Sequence, residues 1–163
     1  MSEVTIRPAH ESELTAVGEL TVAAYRADGF LGAAPTPYEA KLADARTRAT
    51  EAELLVAVDD DLLGTVTIAP PGTPWAQVSG PDQLEFRMLA VAPAARGRGV
   101  GELLTRRVVA RAGELGLRGV VLSSSRDMVA AHRLYERMGF HRTPELDWSP
   151  MPDTALITYR LDL

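Results

Sequence analysis

Residues 96–101, RGRGVG, put three glycines and two arginines into six positions, after the apolar run LEFRMLAV (84–91) and before a helical pattern that starts at Val100. A helix N-terminus carries unsatisfied N–H groups and about half a positive charge, so a turn bare of side chains there accepts a phosphate oxygen. The chemistry in view is phosphate binding by main chain. Two familiar phosphate motifs do not fit. GVGELL lacks the lysine and hydroxyl residue that a nucleoside-triphosphate loop carries at its helix start. A dinucleotide fold wants its glycines at the strand end and an acidic residue about 20 positions on. Here Ala92 to Arg96 intervene after Val91, and the next strand-like run ends in three serines. The run Asp59, Asp60, Asp61 invites a metal. Neighbours in a strand turn do not converge on one point, however, and no calcium-loop spacing follows, so it reads as a solvated hairpin turn with no metal.

What remains is RxxGxG, formed by Arg96, Gly99 and Gly101, with MLAVAP before it, a helix and strand after it, and then AAHRLYERMGF, residues 130–140. Together these stretches resemble the GCN5-related N-acetyltransferase (GNAT) superfamily, whose acyl-CoA signature is a strand, a (Q/R)xxGx(G/A) loop and a helix. The resemblance covers residues 84–141 at least, and the order of elements extends it along the chain. It implies an N-acetyltransferase that moves an acetyl or other acyl group from acetyl-CoA to an amine. Acetyl-CoA is then a co-substrate and no metal is needed.

The resemblance further implies that Arg96, Gly97, Arg98, Gly99, Val100 and Gly101 wrap the CoA diphosphate, mostly through backbone N–H groups. Leu89, Ala90 and Val91 then offer main-chain groups to the thioester and pantetheine arm. Tyr135 matches the family's general acid toward the departing thiolate. A phenol of pKa about 10 can protonate a thiolate whose conjugate acid lies at about 8.5 with little mismatch. Met128, His132 and Tyr135 share a helical stripe, so His132 also falls near the cofactor. Where the family often has an asparagine, seven positions before the tyrosine, stands Met128; Ser124, Ser125 and Asp127 are the alternatives for its amide contact.

An alkylammonium is deprotonated in only about one molecule in 2,500 at pH 7, so the attacking amine needs a base or a water relay. Glu85 sits where histone-acetylating members of the family carry a glutamate base, and strand alternation puts it on one face with Arg87, Leu89 and Val91. A structural strand carboxylate is the other reading of Glu85, and His132 is the other candidate base. The chain has no cysteine, so an acyl-cysteine intermediate is excluded, and the resemblance implies direct attack in a ternary complex. Tyr25, Phe30, Trp75, Asp147 and Trp148 are candidates for the acceptor side, where aromatics with a carboxylate suit a cationic amine. A small-molecule or peptide amine is the expected partner. The rival from another class is a weakly catalytic or non-catalytic acyl-CoA-binding or sensing module.

The elements that position these residues follow from periodicity. A strand over 4–7, a helix over 13–27, a Gly/Pro/Ala-rich loop over 28–37 and a charged helix over 38–51 come first. A hairpin of 53–58 and 62–69 and a Pro/Gly-rich loop over 70–83 follow. The strand 84–91, a helix stopping near Gly116 and a strand 119–125 make a strand–helix–strand crossover, which requires those strands to be parallel. A helix over 128–138, capped by Asp127 and ended by Gly139, precedes strands beginning at Phe140 and spanning 155–161. The expected fold is α/β (α+β), a single GNAT domain over 1–163 with a mixed twisted sheet of six to seven strands and about four helices.

At 163 residues, 46% hydrophobic and 24% charged, the chain has ordinary globular composition and length enough for one core. A net charge of −5 argues against nucleic acid and anionic membranes as partners. The acidic start, the lack of a long apolar run and the missing cysteines fit a cytoplasmic protein. The C-terminal strand leaves room for a homodimer.

Overall fold

The computed structural model describes residues 3–152 and 154–163. They fall into two compact units, one of residues up to Ile68 together with Met88–Arg107, the other of Ala69–Arg87 with Val108–Leu163. The strand β4 (Gln83–Val91) and the helix α4 (Val100–Glu114) each contribute to both.

In the first unit β1 (Thr5–Pro8), β2 (Glu53–Val58) and β3 (Leu62–Ala69) are antiparallel neighbours, and β4 is next in the row. The helix α1 (Leu14–Ala27) buries Leu14, Val17, Leu20, Thr21, Ala24 and Tyr25, the three-to-four spacing of one helical face. Leu14 and Val17 pack with Ala45, Leu54 and Val56 into a core cluster. Gly18 is fixed by close approach, since a Cβ there would run into the Ala43 carbonyl oxygen. The single helix expected over 38–51 is two, α2 (Pro37–Ala43) and α3 (Ala45–Glu51). Asp44 leaves helical geometry at ψ 69° and accepts the Thr47 N–H at 3.1 Å, so it caps the second helix instead of continuing the first. The fully buried Arg48 then donates to the Lys41 and Leu42 carbonyls at the end of α2.

In the second unit β4 pairs in parallel with β5 (Gly119–Ser125), Gln83 opposite Gly119 through Phe86 opposite Leu122, as the crossover requires. On its other side β5 runs antiparallel to β8 (Thr154–Asp162), which in turn pairs with β6 (His141–Arg142) and β7 (Trp148–Met151). Among the described residues β8 thus has strand neighbours on both sides. The helix α5 (Val129–Arg137) stops at Gly139, whose φ of 98° suits glycine. Met128, not Asp127, is its N-cap, and no side chain caps it.

The described residues form eight strands and five helices in a mixed sheet, the expected class with one strand and one helix more. The extra strand is β7, hidden in the Pro-interrupted PELDWSPMPD. The extra helix comes from the break at Asp44. On α4 the buried face is Val100, Leu104, Thr105, Val108 and Ala112, while Leu103 is 40% exposed.

Candidate active site

The loop before α4 owes its shape to two glycines. Gly97 and Gly99 have φ of 81° and 75°, where a side chain is strained, and no atom lies within 4 Å of where a Cβ would stand on either. The Gly99 carbonyl accepts the Leu103 N–H at 3.0 Å, so α4 begins here and the amides of Val100, Gly101 and Glu102 lack intrahelical acceptors. Bare, open backbone at a helix N-terminus fits the diphosphate of CoA. The two arginines of the loop are already engaged. Arg96 donates Nη1 and Nη2 to Asp28 Oδ1 and Oδ2 at 3.0 and 3.2 Å, and Nε to the Val91 carbonyl at 3.1 Å. Arg98 Nη2 donates to Asp59 Oδ2 at 2.9 Å. Asp59 Oδ1 accepts the Asp61 N–H, and these two contacts hold the Asp59 carboxyl below its ordinary range, the backbone one most.

The alternation expected along β4 is interrupted. Met88 has φ 54°, a left-handed conformation rare for a non-glycine residue, so one alternating face does not run from Glu85 through Val91. Upstream of it Glu85 is 2% exposed. Its Oε1 accepts three successive backbone N–H groups, from Gln77, Val78 and Ser79, at 2.8, 2.9 and 3.0 Å. The carboxylate clasps the 70–82 loop onto β4. Arg87 lies over the Trp75 ring at 5.1 Å, and the buried Trp75 Nε1 finds no acceptor among the described residues.

Tyr135, 5% exposed, is the buried residue of α5. Phe86, Phe140 and Tyr159 surround its ring at centroid distances of 5.9, 5.7 and 6.2 Å, tilted by 55–72°. Burial pushes its phenol well above the usual tyrosine range, so the hydroxyl stays protonated. His132 stacks at a tilt on Tyr159 at 5.5 Å. Its Nε2 is 2.9 Å from the Ser125 carbonyl and 3.2 Å from Ser124 Oγ. A carbonyl only accepts, so Nε2 carries a proton, and in the uncharged form of the ring the lone pair is then on Nδ1. Ser124 Oγ also meets the Met128 sulfur at 3.6 Å, and Asp127 N–H points to Ser125 Oγ at 3.5 Å.

Of the acceptor-side candidates, Tyr25 packs edge-on with Phe30 and Tyr38. Asp147 is held by both Arg142 Nη atoms at 2.8 Å and accepts the Thr158 N–H, so its charge is neutralised within the fold. Trp148 Nε1 donates to Ser123 Oγ at 2.9 Å. The candidates divide between the units: Leu89, Ala90, Val91 and residues 96–101 in the first, Glu85, Ser124, His132 and Tyr135 in the second. Asp28 and the amides of 77–79 were missed from sequence. Asp28 is 68 positions from Arg96, and nothing local signals a partner that far away.

A family model described as the acetyltransferase (GNAT) family matches residues 17–140. The mycothiol acetyltransferase of Cellulomonas flavigena is 32% identical over 132 residues, which take in 71% of this chain and 36% of that protein. The chain thus spans about a third of the length of that curated relative. A GNAT-family acetyltransferase from Staphylococcus aureus Mu50 superposes with a TM-score of 0.75 at 14% identity, over 99% of both chains. The Salmonella typhimurium protein yncA, solved with its cofactor acetyl-CoA, gives 0.68 at 22% identity, over 99% of this chain and 95% of that one. Both structural likenesses are likenesses of fold. No helix among the described residues is long and apolar enough to cross a membrane.

Proposed function

Because the chain belongs to the acetyltransferase (GNAT) family, we propose that it transfers the acetyl group of acetyl-CoA to an amine by direct attack in a ternary complex. The observation that carries this reading is the 96–101 loop, open main chain with two left-handed glycines at the start of a fifteen-residue helix. In this reading one acetyltransferase domain spans 1–163, and the amides of Gly97 to Gly101 hold the diphosphate. Main-chain groups of Leu89, Ala90 and Val91 hold the pantetheine arm.

Acetyl-CoA supplies an activated carbonyl whose C–S bond breaks as the C–N bond forms. Tyr135, which burial keeps protonated, gives its hydroxyl proton to the departing sulfur; the same burial makes it a weaker acid than a free phenol, so it widens the gap to the thiolate. The amine's proton goes to Glu85 through Oε2, since Oε1 is filled by three amides; His132, with its lone pair on Nδ1, is the second candidate. The acceptor is a small-molecule or peptide amine, in line with relatives named for mycothiol and for a ribosomal-protein alanine. A cytoplasmic location fits the absence of cysteine from the sequence.

The test is thiol release from acetyl-CoA with a panel of amines, beside thermal shift with acetyl-CoA. Turnover with at least one amine is expected. Stabilisation with no turnover on any amine would favour a sensing module. Tyr135→Phe should keep the fold and lower kcat by about 10²-fold, the scale of a lost general acid. A purely structural Tyr135 would lose stability and keep its turnover.

A further inference from the structure

The signature arginine Arg96 stands in the loop that the resemblance assigns to the donor's diphosphate, yet its guanidinium makes four contacts inside the first unit. Nη1 and Nη2 grip the two Asp28 oxygens in parallel, Nε donates to the Val91 carbonyl, and Nη2 also reaches the Ala24 carbonyl at 3.5 Å. One planar group thereby ties together the end of β4, the end of α1 and the start of the loop. A lysine could not make this fork.

The position of Asp28 sharpens the point. It is the C-cap of α1, its N–H bonded to the Ala24 carbonyl at 3.3 Å. A carboxylate there sits at the negative end of the helix dipole, where local physics favours a cation. Arg96 supplies that cation from 68 positions away. The neighbouring arginine is treated alike, since Arg98 goes to Asp59, a carboxylate already braced by the Asp61 N–H. Both arginine charges are thus met by carboxylates, while the glycines alternating with them have open space around Cα.

We propose that Asp28 is a positioning residue for the donor: through the Arg96 fork it sets the 96–101 loop so that backbone amides, not the arginine's charge, meet the CoA diphosphate. This rests on the reading of that loop given under Proposed function. Asp59 is the weaker second anchor, with one contact to Arg98 against the two that Asp28 makes to Arg96.

The experiment compares wild type, Asp28→Asn, Asp28→Glu and Arg96→Lys, each checked by circular dichroism for folding. CoA affinity is read by calorimetry, and KM is measured with acetyl-CoA and with acetyl-pantetheine, which lacks the diphosphate. Asp28→Asn and Arg96→Lys should each weaken CoA binding roughly tenfold, as loss of a well-formed charged fork acting on ground-state binding would. KM should rise about tenfold more for acetyl-CoA than for acetyl-pantetheine. Asp28→Glu, which keeps a carboxylate, should recover part of the loss. General destabilisation would move both donors alike and would overturn the proposal. So would CoA binding that is unchanged or tighter in Asp28→Asn, since Arg96 freed to reach the phosphates would then be the contact that matters. Arg96→Lys binding like wild type would overturn it by the same logic. Failure of wild type itself to bind CoA would take down the reading of the loop, and this inference with it.

Discussion

Two loops of this protein are organised by carboxylates in opposite ways. Around 77–79 a carboxylate from the fold, Glu85, accepts three successive amides, so that anion cradle is filled by the protein's own anion. Around 96–101 the carboxylates Asp28 and Asp59 take the arginine side chains and leave the main chain at Gly97 and Gly99 open. A run of convergent N–H groups is therefore not by itself a ligand site. What decides is whether the fold already places an acceptor there.

The largest expected effect comes from emptying the filled cradle. Glu85→Ala leaves three amides without their acceptor at a 2% exposed position. It should cost about 3 kcal/mol, a drop in Tm of roughly 10 °C by thermal unfolding. Glu85→Gln keeps an accepting oxygen and should lose far less stability, so its kcat isolates any role as base. A Glu85→Ala protein as stable as wild type would erase the contrast between the loops.

The open cradle should respond in the other observable. Gly99→Ala meets no steric neighbour, so its cost is conformational, about 1–2 kcal/mol for a side chain at φ 75°. We expect roughly tenfold weaker CoA binding by calorimetry and a small change in Tm. Unchanged CoA affinity would remove residues 96–101 from the donor site.

The smallest effect concerns carboxylates that hold guanidinium groups elsewhere on the surface. The Arg7 fork holds Glu13 at a pKa of about 2, against an ordinary 4.5, through hydrogen bonds at 2.8 and 2.9 Å. Because the folded value is the lower one, the unfolded chain binds the proton first as pH falls. The pair's contribution is whole above about pH 4.5 and is lost progressively down to about pH 2. Glu13→Gln should therefore lower Tm slightly at pH 7 and match wild type near pH 2. With both side chains about a quarter exposed, the difference should stay below about 1 kcal/mol.

The 96–101 loop was legible in sequence because left-handed backbone leaves a residue-type trace: Gly97 and Gly99 are glycines for that reason. The strands of the central sheet and α4 were legible because burial imposes period. The break at Asp44 was written in the chain as an Asp-x-x-Thr cap, but helix-forming neighbours on both sides disguised it. Glu85 was found as a residue and not as a clasp, since a strand carboxylate looks the same whatever its oxygens accept. The Arg96–Asp28 fork and the ring of aromatics around Tyr135 join distant segments, and separation in sequence carries no signal of contact.

The left-handed Met88 has a consequence for alignment along the sheet. A one-residue slip of a strand turns every side chain to the opposite face. Slippage of β4 would carry Arg87 or Leu89 into a backbone conformation that neither adopts without strain, while lifting out a methionine side chain that is 6% exposed. One uncomfortable residue thus works as an indexing pin, locking the strand that carries Glu85 on one side and leads into the glycine loop on the other to a single tooth of its ladder.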